Sequence, residues 1–260
     1  MVPENRGNRL PIADWDAESL RLSAFPTPAS PIEDVGWWAA LMGEPPEVEV
    51  VRPREGGRRK EGAFELGRLV IQTSPARIDL QAIPSHEQEA TGGDFLFIGK
   101  FEQVLERFAE VMNRWLNLDS CPEIRRIAFG AVLISPVDSR VSGYRQLATY
   151  LPSVTIDPEN STDFLYNINR PRDSAAGIPN LKINRLSKWS VAHISTAGLV
   201  VESTGISYHG VPQGHFACRL ELDINTAAER REPLPREEVP SVWQELLNLG
   251  KEIVIDGDQP

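Results

Sequence analysis

Polar and apolar positions along this 260-residue chain follow two different periods, and the switches between them mark its elements. The clearest period-two stretch is 215–225. There Phe216, Cys218, Leu220, Leu222 and Ile224 alternate with His215, Arg219, Glu221 and Asp223. Such alternation marks an antiparallel strand with one buried and one wet face. Residues 76–83 repeat it, with Ala76, Ile78, Leu80 and Ala82 set against Arg77, Asp79 and Gln81. With 64–72 they form an expected hairpin around Ser74-Pro75. Further strands are expected at 20–25, 47–51, 164–170, 181–194 and 199–208. Residues 124–134 are apolar on both parities, as befits a central strand near the middle of a sheet, and Ser135-Pro136 follows it.

Elsewhere the period is helical. Across 100–118, Phe101, Val104, Leu105, Phe108, Val111, Met112, Trp115 and Leu116 share one stripe, which burial alone explains. A closing helix is expected at 240–255 on Val242, Trp243, Leu246, Leu247 and Ile253, and another at 139–151 on Val141, Tyr144 and Leu147. Ser30-Pro31-Ile32-Glu33 combines an N-cap serine, a proline in the first turn and an acid at the third position. The helix it opens should reach Met42 and stop at Gly43. Residues 52–62 read as a basic loop carrying Arg52, Arg54, Arg58, Arg59 and Lys60, and 84–94 as a polar one.

The order strand, helix, strands, long helix occurs twice. Ser30-Pro31 and Ser135-Pro136 precede the first helix of each half. An acid follows (Glu33, Asp138), then glycine with an aromatic (Gly36-Trp37, Gly143-Tyr144). This suggests an internal duplication, with halves 1–120 and 121–260 in one continuous unit. The expected fold is α+β: a curved antiparallel sheet with long helices on one face and an open wet face on the other. The arrangement resembles TATA-binding-protein-like saddles and helix-grip folds, a likeness of architecture that carries no function with it.

Composition narrows the functional classes. The net charge of -10 argues against a nucleic-acid-binding saddle, since phosphate binding draws on an excess of lysine and arginine. Cys121 and Cys218 are too few for a disulfide scaffold and lack zinc spacing. The N-terminus shows no signal pattern, and the longest apolar run, 127–134, is far short of a membrane span. A cytoplasmic protein is expected. No Gly-x-Ser-x-Gly, phosphate-binding lysine loop or dinucleotide glycine fingerprint occurs, so no catalytic residue, metal or cofactor is assigned. His209 and His215 flank Gly210-Val211-Pro212-Gln213-Gly214. With Glu221 or Asp223 they would make a zinc site, but their spacing fits no familiar ligand pattern.

One constellation stands out. Ile-Asn-Arg occurs at Ile168-Asn169-Arg170 and again at Ile183-Asn184-Arg185, with Arg172, Lys182 and Lys188 nearby. A hairpin placing Asn169 near Asn184 would align amide and cationic donors suited to carboxylate or phosphate. Asn169, Arg170, Arg172, Lys182, Asn184, Arg185 and Lys188 are therefore the candidate ligand-binding residues. The competing expectation is internal pairing of Arg170 and Arg185 with acids such as Asp163, Asp173 or Glu221. Parity adds that Ile183 and Arg185 share one face while Lys182, Asn184 and Lys188 share the other.

The segments 164–170 and 181–189, with Leu220-Glu221-Leu222-Asp223-Ile224-Asn225, resemble those of a sporadically distributed family of uncharacterised bacterial proteins. The likeness covers most of the chain in order, through short motifs. The proline-rich N-terminus and the 52–60 loop depart from it. It implies no established activity and no catalytic residue. The functional expectation is a binding or interaction module whose open sheet face holds a protein partner or anionic ligand. The alternative is an enzyme with its site between His193, His209, His215 and the Asn-Arg strands.

Overall fold

A computed structural model describes residues 11–28, 32, 36–52, 56–85, 95–195, 199–202, 205–208 and 214–259. In chain order the elements are β1 (Asp16–Pro26), α1 (Trp37–Met42), β2 (Val48–Arg52), β3 (Gly57–Phe64), β4 (Gly67–Ser74), β5 (Arg77–Pro84) and β6 (Gly99–Lys100). Next come α2 (Phe101–Leu116), β7 (Ile124–Val137), α3 (Arg140–Tyr150), β8 (Leu165–Asn169), β9 (Arg172–Asp173) and β10 (Lys182–Ser195). The chain closes with β11 (Leu199–Glu202), β12 (Gly205–Tyr208), β13 (Gly214–Thr226) and α4 (Val239–Asp256).

Eleven of these strands form one open sheet in the order β2-β3-β4-β5-β1-β7-β13-β10-β8, with β6 paired to β1 and β9 to β10. Its neighbours are antiparallel. Long β1 and β7 lie side by side at the centre, so the sheet runs unbroken through both halves of the chain. Hydrophobic patterning sets the register, because a slip of one residue would turn every apolar side chain to the wrong face.

Two rows across the sheet show the division. Leu80, Leu22, Phe129, Ile224 and Arg185 are successive cross-strand partners, and the first four are fully buried. The adjacent row is Gln81, Arg21, Gly130, Asp223 and Leu186. Over the apolar row, Trp243 of α4 meets Phe129 edge-on at 5.8 Å and Phe108 of α2 at 6.4 Å. All eight residues of the α2 stripe are buried. Trp37 of α1 adds an edge-to-face contact with Trp115 at 5.4 Å. Apolar burial of this kind stabilises the fold by about 25 cal/mol per Å² of apolar surface removed from water.

Several local signals read as expected. Gly43 ends α1, its N–H bonding the Ala39 carbonyl at 2.9 Å. The helix expected at 139–151 is α3, and Ser139 caps it in a reciprocal box with Ser142, a cap the pattern did not foretell. Other expectations are corrected. Residues 57–62 belong to strand β3, not to a loop. Arg58, Arg59 and Lys60 run consecutively into Glu61, and Glu61 binds both Arg59 (2.7 Å) and Arg68 (3.2 Å). Ser135-Pro136 lies inside β7, which runs on to Val137. The stretch 199–208 is two strands, Leu199–Glu202 and Gly205–Tyr208, paired antiparallel in a sheet of their own. Ser30, Pro31 and Glu33 lie outside the described residues, but the expected helix to Met42 is shorter than its pattern: α1 opens only at Trp37, behind Gly36 at φ 71°. Among the described residues, no helix is long and apolar enough to cross a membrane.

Candidate binding site on the open sheet face

The two Asn-Arg strands are neighbours. β8 pairs with β10 so that Asn169 lies opposite Leu186, and the Asn169 amide donates to the Asn184 carbonyl oxygen at 2.9 Å. The ladder continues across the sheet. Asn184 donates to Asn225 at 3.1 Å, and Asn225 donates to Asp223 at 3.0 Å. Each amide carries a donor and an acceptor, so it can receive from one strand and pass to the next.

The arginines part company with the asparagines. Parity sends Arg185 to the opposite face, where it is 3% exposed, and its Nη2 donates to Glu252 of α4 at 3.1 Å. Arg172 grips the same carboxylate with both Nη atoms at 3.0 and 2.7 Å. Burial pulls the pKa of Arg185 below its ordinary value; Glu252 opposes this, and the Arg172 charge adds to it. Arg170 is held by Asp258, just beyond α4, through Nε at 2.5 Å and Nη2 at 2.8 Å. Tyr166 and Ser153 also donate to that carboxylate, at 2.7 and 3.3 Å. Gly257 makes the docking possible. Its φ is 72°, and a Cβ there would fall 2.2 Å from the Tyr150 carbonyl oxygen, so only glycine fits. Internal acids thus take up all three arginines, but the acids are Glu252 and Asp258 rather than Asp163, Asp173 or Glu221. They lie at the end of the chain, beyond the reach of any local pattern. Lys182 stands exposed at the start of β10, against Asp173 of β9.

Lys188 does face the open side, bonded to Glu221 at 2.9 Å. Glu221 also takes Arg219, which reaches Glu18 at 3.4 Å. Toward the other edge, Arg77 is bonded to Asp79 at 2.8 Å and to Ser23 at 3.1 Å. Between these groups lies a hollow of about 360 Å³, walled by Arg21, Gln81, Leu186, Lys188, Glu221 and Asp223 and floored by Ser19 and Gly130. Arg21 lies across Gly130: a Cβ at that position would come 3.2 Å from Arg21 Nη2 and 3.3 Å from its Nε. Among the described residues, no acid pairs with Arg21, and its Nε is shut off from water with no acceptor.

Sequence reading missed Arg21 altogether. Alternation in Ser19-Leu20-Arg21-Leu22-Ser23 gives its face, but only the cross-strand glycine singles it out. Of the histidines, His193 stacks on Phe216 at 4.5 Å and His215 is exposed, while His86 and His209 lie outside the described residues. No three metal-ligating side chains converge among the described residues. Burial pushes the Cys121 and Cys218 thiols up to about 12, which Arg236 partly offsets at Cys121.

The chain is therefore an α+β protein built on an open antiparallel sheet, with a polar, charge-bearing hollow at its centre. A scan against protein-family models finds no match, and a search of curated proteins finds none either.

Proposed function

We propose that the protein is a binding module whose open sheet face holds an anionic group, with Arg21 as the anchor. Lys188 and the Asn169–Asn184–Asn225 ladder form one flank of that surface. One observation carries the reading. Among the described residues, Arg21 has no acidic partner on a face where Arg77, Lys188 and Arg219 each have one. An arginine fork over a backbone floor presents its donors to carboxylate or phosphate in a fixed geometry. The hollow lies within the range of small-molecule sites, roughly 300–1,000 Å³.

The same proposal takes the sheet as two related halves meeting at β1 and β7, with α2 and α4 as the corresponding long helices on one face. In support, β5 and β13 flank the central pair, and each half ends in an amphipathic helix that reaches Trp243 or the strands beneath it. The likeness to saddle folds and to the uncharacterised bacterial family belongs to this proposal too. The test is thermal unfolding with small carboxylates and phosphate at tens of millimolar, ionic strength matched with chloride. Wild type is stabilised by at least one of these anions, and Arg21→Glu loses the response. A flat response, or an Arg21→Glu variant that responds like wild type, rules the reading out.

A further inference from the structure

We propose that Arg21 and Asp223 form a two-point seat for a free α-amino acid, its carboxylate on Arg21 and its ammonium on Asp223. The proposal rests on the open-face reading above and names its ligand. Four charged side chains line the hollow: Arg21, Lys188, Glu221 and Asp223. Lys188 and Glu221 are committed to each other, and Glu221 to Arg219 as well. That leaves one uncommitted group of each sign. Among the described residues, Asp223 accepts only the Asn225 amide and meets no cation.

These two groups sit in the same cross-strand row, on either side of Gly130. Adjacent strands lie about 4.8 Å apart, and Arg21 leans over the glycine toward β13, so one small molecule can touch both. A side chain at Gly130 would press on the Arg21 guanidinium, 3.2 Å from its Cβ, and displace it.

The charge balance selects the ligand. A dianionic phosphate on Arg21 would leave excess negative charge beside Asp223 and Glu221. A simple cation on Asp223 would face Arg21. A group carrying one charge of each sign satisfies both, its carboxylate meeting the Nη side of the Arg21 guanidinium. Ile83, Val132 and Leu186 in the same wall offer apolar surface to the ligand's side chain.

The experiment uses the full chain and three pools: the twenty common L-amino acids, their decarboxylated amines, and the matching acids without the amine. Thermal unfolding is followed by calorimetric titration of the most effective single compound. The amino-acid pool raises the melting temperature. The amine and acid pools act only at concentrations about tenfold higher or more, as expected when one charged hydrogen-bonding partner is missing. Arg21→Gln and Asp223→Asn each weaken binding about tenfold or more. Asp223→Asn still accepts from Asn225, so its unliganded melting temperature stays within roughly 2 °C of wild type. If acids and amino acids act alike and Asp223→Asn changes nothing, the two-point seat is overturned and the anion reading stands. If no pool acts at all, both are overturned.

Discussion

Asp258 is the most informative residue to perturb for stability. Its carboxylate is 4% exposed and receives Arg170 Nε at 2.5 Å, Arg170 Nη2 at 2.8 Å and the Tyr166 hydroxyl at 2.7 Å. Hydrogen bonds to a charged group contribute roughly 1.5–3 kcal/mol each, but these three share one acceptor and are not additive. The Arg170 side chain keeps 27% of its surface in water, so it is partly resolvated when its partner disappears. Asp258→Asn is isosteric and leaves the backbone N–H free to bond the Tyr150 carbonyl. We expect it to destabilise the protein by about 3 kcal/mol, the low end for breaking a buried ion pair. With a urea slope of about 3 kcal/mol per molar, the unfolding midpoint falls by about 1 M. The effect depends on pH with a defined sign. Burial pushes the Asp258 carboxyl up, but hydrogen bonds from Arg170, Tyr166 and Ser153, with the Arg170 charge, outweigh it and hold the group below its ordinary value. A depressed carboxyl stabilises the fold above its unfolded value of about 3.9. That stabilisation is lost as pH falls through the lower folded value. The gap between wild type and Asp258→Asn is therefore full at pH 7 and shrinks below about pH 4. A variant within about 0.5 kcal/mol of wild type at pH 7, or a gap that widens in acid, would refute the reasoning.

Glu252→Gln leaves the buried Arg185 charged and under-compensated. Because Glu252 itself is 32% exposed, the expected cost is about 2 kcal/mol by urea unfolding. Asn184→Ala interrupts the amide ladder at its middle and should cost about 1 kcal/mol, with no change in the far-ultraviolet circular dichroism of the native state. Cys121 and Cys218 are buried with raised pKa values. Both should resist a thiol-reactive disulfide reagent at pH 8 in the native protein and react fully in 6 M guanidinium.

Much of the fold was legible because burial imposes the period. The α2 stripe, the alternation of β5 and β13 and the doubly apolar β7 all lie where the pattern puts them. What failed was local. Basic residues at 57–62 look solvated, but Glu61 within the same strand binds Arg59 and reaches Arg68 on the neighbouring β4. A four-residue strand pair at 199–208 leaves no trace in a period-two pattern except Gly205. The candidate site was legible only in part. Asn169 beside Asn184 followed from the strands that carry them, and parity already set Arg185 apart. The acids that occupy the arginines lie 67 to 88 residues further along the chain, where spacing says nothing about contact. Arg21 was invisible because its significance is a missing partner, and a sequence contains every possible partner at once.

The central claim is that the middle of the open sheet face receives the ligand. Amide chemical-shift mapping of the isotopically labelled protein, titrated with the pooled amino acids, tests it most directly. The perturbed amides should cluster at 19–23, 130–132, 186–188 and 221–223, and in Arg21→Gln should need about tenfold more ligand or more to appear. Perturbations centred instead on the apolar hollow of about 420 Å³ between Leu116, Cys121, Leu234 and Val239 would contradict it.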